Sequence, residues 1–147
     1  MNLLHPVSTI MTTDLITLEP GDTIAKVAAI FENHKIHHVP IVQDFILKGM
    51  VSKSDYLLFR NTNLNDHDDD KIEDIRMEKY TVDDIMTTGI AKLDPDENIS
   101  VALAIFKENI FHSIPIVKSN VLVGMVTTYD IINQLAVDAE AHVSYAH

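Results

Sequence analysis

Apolar side chains recur at Ile24, Val27, Ala28 and Phe31, and again at Ile99, Ala102, Leu103 and Phe106. The i, i+3, i+4, i+7 spacing predicts two amphipathic helices. Thr23 and Asn98 stand just before them, where N-caps belong. Short β-branched runs over Val39 to Val42, Ile46 to Val51, Ile114 to Val117 and Val121 to Val126 predict four strands. Leu15 to Leu18 and Ile90 to Leu93 read as a further short strand in each half, closed by Pro20 or Pro95. A second helix begins near Ser52 or Thr127. Each half is thus expected to run β-α-β-β-α, a three-stranded sheet with two helices on one face.

The two halves are copies. Shifted by 75 residues, Val7 falls on Val82 and Asp55 on Asp130 without a gap. Twenty positions in that stretch are identical, where composition alone gives roughly three. Ile10-Met11-Thr12-Thr13 matches Ile85-Met86-Thr87-Thr88, Pro40-Ile41-Val42 matches Pro115-Ile116-Val117, and Gly49-Met50-Val51 matches Gly124-Met125-Val126. Two half-domains related by a pseudo-twofold axis are the expected product. The boundaries read as copy 1 over 1–60, a linker over 61–81, copy 2 over 82–140 and a frayed tail over 141–147. The linker carries Asp66, Asp68, Asp69, Asp70, Glu73, Asp74 and Glu78. Its Asn- and Asp-rich start reads as an exposed loop, and Ile72, Ile75 and Met77 are too few to anchor it. No Gly and no closing Glu stand where an EF-hand needs them.

Composition narrows the function. Hydrophobic residues make up 46% of 147, enough for a core, and the formal charge is −11. That balance argues against a duplex nucleic-acid binder, which needs a basic face. It leaves room for a small anion held by helix N-termini and local cations. With no cysteine, disulfides, thiolate metal sites and a cysteine nucleophile are excluded. Met1 to Pro6 lacks the basic and apolar regions of a signal peptide. No apolar run approaches the ~20 residues of a membrane span, so a cytoplasmic location is expected.

The candidate chemistry lies where each copy's last strand enters its last helix. Gly49-Met50-Val51-Ser52-Lys53-Ser54-Asp55 and Gly124-Met125-Val126-Thr127-Thr128-Tyr129-Asp130 share the pattern Gly-x-x-[Ser/Thr]-x-x-Asp. The hydroxyl-x-x-acid spacing fits a capping box, and an acid in the first turn suits the helix dipole. The same groups also suit a nucleotide. The helix N-terminus and hydroxyl favour phosphate, the ionised Asp can accept both hydroxyls of a ribose, and Gly admits a close backbone approach.

The ordered set Met-Thr-x-x-apolar, Pro, amphipathic helix, His-x-apolar-Pro-apolar-Val and Gly-x-Val-[Ser/Thr]-x-x-Asp, present twice over about residues 5 to 138, resembles a CBS-domain pair, or Bateman module. The resemblance implies an α+β fold of tandem β-α-β-β-α motifs packed sheet to sheet. It implies two clefts that take AMP, ADP or ATP, with S-adenosylmethionine or NAD as lesser candidates, and no required cofactor. It also implies a homodimer and a regulated effector protein. In the family each cleft draws its acid from one copy and its apolar and basic contacts from the other. One site here would then join Met50, Ser52, Ser54 and Asp55 with Gly89, Ile90, Ala91, His112 and Ser113. The other would join Met125, Thr127, Tyr129 and Asp130 with Asp14, Leu15, Ile16, His37 and His38. Asp55 and Asp130 would grip ribose, the apolar residues adenine and the basic residues phosphate.

Lys35-Ile36-His37-His38-Val39-Pro40 is similar to the basic segment of the nucleotide-sensing subunits of AMP-activated kinases, where the second His is Arg. Both expected clefts lack that Arg, and Tyr129 stands where the other copy has Ser54. Histidine contacts imply phosphate affinity that rises below a pKa of about 6.5. Adjacent His37 and His38 would point to opposite faces of an extended segment, and His142 and His147 do not have zinc spacing, so no metal site is expected. Catalysis has little support: no nucleophile elbow, P-loop or Gly-x-Gly-x-x-Gly occurs. The chain runs only to His147 after the second copy, so output is expected to pass to a partner or to the oligomeric state. The competing reading is an interaction module with vestigial clefts.

Overall fold

The amphipathic helices form where the apolar spacing places them: α1 spans Ile24–Asn33 and α4 spans Ile99–Lys107. The structure is a computed structural model that describes residues 1–62 and 70–144. Helix α1 buries Ile24, Val27, Ala28 and Phe31, and α4 buries Ile99 and Ala102. Thr23 and Asn98 hold the extended N-cap conformation, yet neither side chain caps its helix. Backbone carbonyls do that work. Ile24 N–H donates to Tyr80 O at 3.1 Å, while Ile99 and Ser100 N–H donate to His5 O and Leu3 O at 2.9 and 3.0 Å. A helix end needs partners for its first donors, but those partners need not be side chains.

The strands follow as β1 (His38–Gln43), β2 (Ile46–Ser52), β3 (Ser113–Lys118) and β4 (Val121–Thr127). β1 pairs antiparallel with β2, and β3 with β4, each with a register shift at the equivalent place, Ile41/Val42 and Ile116/Val117. The expected first strand of each copy shrinks to one parallel bridge, Leu18 with Ile41 and Leu93 with Ile116. Prolines explain the shortening. Pro20 and Pro95 follow closely and have no N–H to continue a ladder, and Pro40 and Pro115 remove donors from β1 and β3.

Both hairpins turn through two consecutive residues with positive φ: Asp44 (51°) and Phe45 (67°), then Ser119 (50°) and Asn120 (67°). That is the pattern of the turn whose twist matches antiparallel strands, and it favours Asn or Gly. Phe45 is poorly suited to it and is 80% exposed. Phe45→Gly should therefore raise stability by about 0.5–1 kcal/mol, the left-handed penalty outweighing the little packing lost. A denaturation midpoint equal to or below that of the parent would contradict this.

The chain forms two compact units: a continuous one, Ile16–Ile90, and a discontinuous one, Met1–Leu15 with Ala91–His147. Their bounds cut across the repeat. Val82, which opens the second copy, is fully buried in the core of the continuous unit among Leu18, Ile24, Val27, Phe31, Val39, Ile41, Val51 and Tyr56. Val7, its equivalent, is fully buried among Ile99, Ala102, Ile114, Ile116, Val126 and Ile131. The backbone follows: Val82 N–H donates to Asp22 O at 2.8 Å, and Val7 N–H to Glu97 O at 2.7 Å. Each copy's leading turn thus completes the core built by the other copy.

Three more helices complete the order: α2 (Lys53–Asn61), α3 (Asp70–Lys79) and α5 (Thr128–Ser144). Helix α3 lies in the linker, and it is anchored more firmly than its few apolar residues suggest. The Arg76 guanidinium donates to Phe59 O at 2.7 Å and lies 4.0 Å from the Phe59 ring centroid. Phe59 meets Tyr80 edge to face at 5.6 Å, Met77 packs on the core, and Arg60 pairs with Glu73 at 3.2 Å. The expected acidic loop at 63–69, with Asp66, Asp68 and Asp69, lies outside the described residues, as does His147. Helix α5 continues past residue 140, the expected end of the second copy, through Ser144.

Candidate functional site

In the continuous unit β2 enters α2 at Ser52, which is extended (φ −88°, ψ 159°) and caps the helix. Asp55 N–H donates to Ser52 Oγ at 3.0 Å, and Ser52 N–H donates to Asp55 Oδ2 at 2.9 Å. The capping box read from the spacing is present. Lys53 N–H donates to His37 O at 2.8 Å, and His38 is the register partner of Ser52, so the start of β1 is tied to the start of α2. Among the described residues nothing bonds to Asp55 Oδ1.

The Met-Thr segment closes this corner. Met50 N–H donates to Thr87 O at 3.0 Å, and Thr87 N–H returns to Met50 O at 2.9 Å. A Cβ at Gly49 would lie 2.8 Å from Thr87 O and 2.9 Å from Met86 Sδ. Gly49 therefore admits the protein's own backbone, where the sequence suggested room for a ligand. Gly89 follows in the left-handed region (φ 65°), then half-buried Ile90.

The discontinuous unit repeats the construction. Thr127 N–H donates to Asp130 Oδ2 at 2.8 Å, and Asp130 N–H donates to Thr127 Oγ1 at 3.1 Å. Thr128 N–H donates to His112 O at 3.1 Å. Thr12 and Met125 exchange backbone bonds of 2.8 and 2.9 Å, and Gly124 gives Met11 and Thr12 O their room. Asp14 and Leu15 follow. One contact has no equivalent: Thr12 Oγ1 donates to Asp130 Oδ1 at 3.2 Å, whereas among the described residues Thr87 makes no such bond to Asp55. Tyr129 is 70% exposed. Ser113, the register partner of Thr127, is buried, and among the described residues its hydroxyl has no hydrogen-bond partner.

The candidate residues thus divide between the units. Met50, Ser52, Ser54, Asp55, Gly89 and Ile90 share the continuous unit, which also holds Ile16, His37 and His38. Met125, Thr127, Tyr129, Asp130, Asp14 and Leu15 share the discontinuous unit, which also holds Ala91, His112 and Ser113. Sequence reasoning assigned no role to Lys53, and it placed Lys35 only in the basic segment before His37. With His34, His37 and Phe31 they line an open depression of about 460 Å³ in the continuous unit. Lys53 opens α2 and Lys35 lies in the loop before β1, and it is the fold that brings Lys53 to that basic segment. Among the described residues no three His, Asp or Glu gather to hold a metal. No described helix is long and apolar enough to cross a membrane.

Two strand-to-helix corners, each with a reciprocally capped Asp and each closed by a Met-Thr segment, define a tandem α+β repeat protein. The chain belongs to the CBS domain family, whose pattern matches residues 7–61 and 82–137. It is 28% identical to the CBS domain-containing protein YhcV of Bacillus subtilis over 127 residues, which are 86% of this chain and 83% of that one. The crystal structure of the CBS domain pair of protein MJ0100 in complex with 5′-methylthioadenosine and S-adenosyl-L-methionine superposes with a TM-score of 0.71 at 27% identity, covering 90% of this chain and 97% of that one. That of CBSX2 in complex with AMP gives 0.74 at 20% identity, covering 92% and 98%.

Proposed function

We propose that the protein is a regulatory module that binds an adenine nucleotide or related adenosyl ligand and signals its occupancy to a partner protein or through its own assembly. The observation that carries this reading is the pair of capped aspartates. Among the described residues Asp55 keeps one carboxylate oxygen unused at a helix N-terminus, an acceptor suited to a ribose diol. In the continuous unit Met50, Gly89 and Ile90 supply apolar surface for the base. Lys35 and Lys53 place positive charge for phosphate beside the same helix start, in a depression that Glu32 and His37 also line. The ligands of MJ0100 and CBSX2 share adenine and a ribose with its 2′,3′-diol, the part that such a corner would recognise.

Calorimetric titration with AMP, ATP, S-adenosylmethionine and 5′-methylthioadenosine tests this. Saturable binding of at least one is expected. Silence from all of them at millimolar concentration would favour the interaction-module reading instead. That second reading has its own support: Leu57 and Leu58 on α2 and Ile132 and Leu135 on α5 are exposed, and apolar helix faces of this kind suit a second copy in a homodimer.

A further inference from the structure

We propose that the Thr12 hydroxyl is a built-in competitor for ligand at Asp130, so that the two corners differ in affinity and the corner at Asp55 fills first. The inference rests on the reading of the aspartates as ribose acceptors. The two corners match in almost every part. Both aspartates stand at the third helical position, both use Oδ2 to accept the N–H of their N-cap residue, and both corners are closed by a threonine held through a two-bond backbone bridge. They differ at the other carboxylate oxygen. Asp55 Oδ1 is unused among the described residues, while Asp130 Oδ1 accepts the Thr12 hydroxyl at 3.2 Å. Thr127 Oγ1 also lies 3.1 Å from Asp130 Oδ2. Of the roughly four acceptor sites on a carboxylate, three are taken at Asp130 and, among the described residues, one at Asp55, so a ribose diol arriving at Asp130 must displace a hydroxyl already there, whereas at Asp55 it finds room for both of its hydroxyls.

Exchange of one hydroxyl for another gains less than the first hydrogen bond to a free carboxylate. The contact is exposed, so its influence is moderate: removing the Thr12 hydroxyl should tighten the Asp130 corner about three- to tenfold. Thr12 is a positioning residue, acting through Asp130.

The test uses the full chain carrying Asp55→Asn, which leaves Asp130 as the one ionised acceptor of the pair, titrated with AMP and with 5′-methylthioadenosine, which has the ribose diol but no phosphate. Adding Thr12→Val should tighten both ligands by that factor. Thr12→Ser, which keeps the hydroxyl, should leave them unchanged, and so should Thr87→Val at the equivalent position. Thr12→Ala removes the hydroxyl with less bulk and should reproduce Thr12→Val if the valine disturbs the fold, as a melting curve would reveal. Equal or weaker binding on loss of the Thr12 hydroxyl overturns the inference, as does binding undetectable with and without it. Absence of binding to the wild-type chain would instead overturn the ribose reading beneath it.

Discussion

Replacing Asp55 and Asp130 together by asparagine should weaken AMP binding strongly while leaving the fold in place. Asparagine keeps a carbonyl oxygen that can accept the N-cap N–H, the bond that Asp55 takes from Ser52 at 2.9 Å and Asp130 from Thr127 at 2.8 Å. It loses the negative charge, and its second polar atom becomes a donor facing the ribose hydroxyls. A charge-assisted pair of bonds is thereby lost, and affinity should fall about thirtyfold or more. Each helix gives up only the dipole contribution of its acid, roughly 0.3–1 kcal/mol. Alanine is the less informative change, since it also removes a cap side chain of about 1 kcal/mol. Titration and melting of the same sample separate the two roles. Near wild-type affinity in the double asparagine variant would show that the acids are caps and nothing more.

Gly49→Ala should be the most destabilising single-methyl change in either corner. The added Cβ meets Thr87 O at 2.8 Å, an atom of the bridge that holds the Met-Thr segment on β2. Backbone has to move, and the two bonds of 3.0 and 2.9 Å between Met50 and Thr87 weaken with it. A loss of about 2–4 kcal/mol is expected. Gly124→Ala meets Met11 Sδ at 2.6 Å and Met11 Cγ at 3.0 Å before it reaches Thr12 O at 3.1 Å. A methionine end can swing aside, so about 1–2 kcal/mol is expected there. Denaturant unfolding of the two variants reads the order directly, and a larger loss at Gly124 would contradict it.

Much of the fold is legible because local rules and the duplication agree. Helices α1 and α4 follow from apolar spacing, and the equivalent register shifts and turns follow from two copies of one pattern. The exchange of Val7 and Val82 between cores is not legible, since identical copies carry no mark of which partner completes which core. Nor is the anchoring of α3. A guanidinium over Phe59 leaves no periodic trace in sequence, and the count of Ile72, Ile75 and Met77 points the wrong way. At the site, the reciprocal Ser52–Asp55 and Thr127–Asp130 bonds could be read from a three-residue spacing. Thr12 could not be read, because it lies 118 positions from Asp130 and is joined to it only through the pairing of its segment with β4.

Ribose recognition is tested most directly by calorimetric titration of the wild-type chain with AMP and, in parallel, with its 2′,3′-dideoxy analogue. AMP should bind saturably, and the analogue, alike in base and phosphate but without the diol, should bind about tenfold more weakly or worse. Equal affinity for the two, or no binding of AMP at millimolar concentration, would contradict the assignment of Asp55 and Asp130 to the sugar.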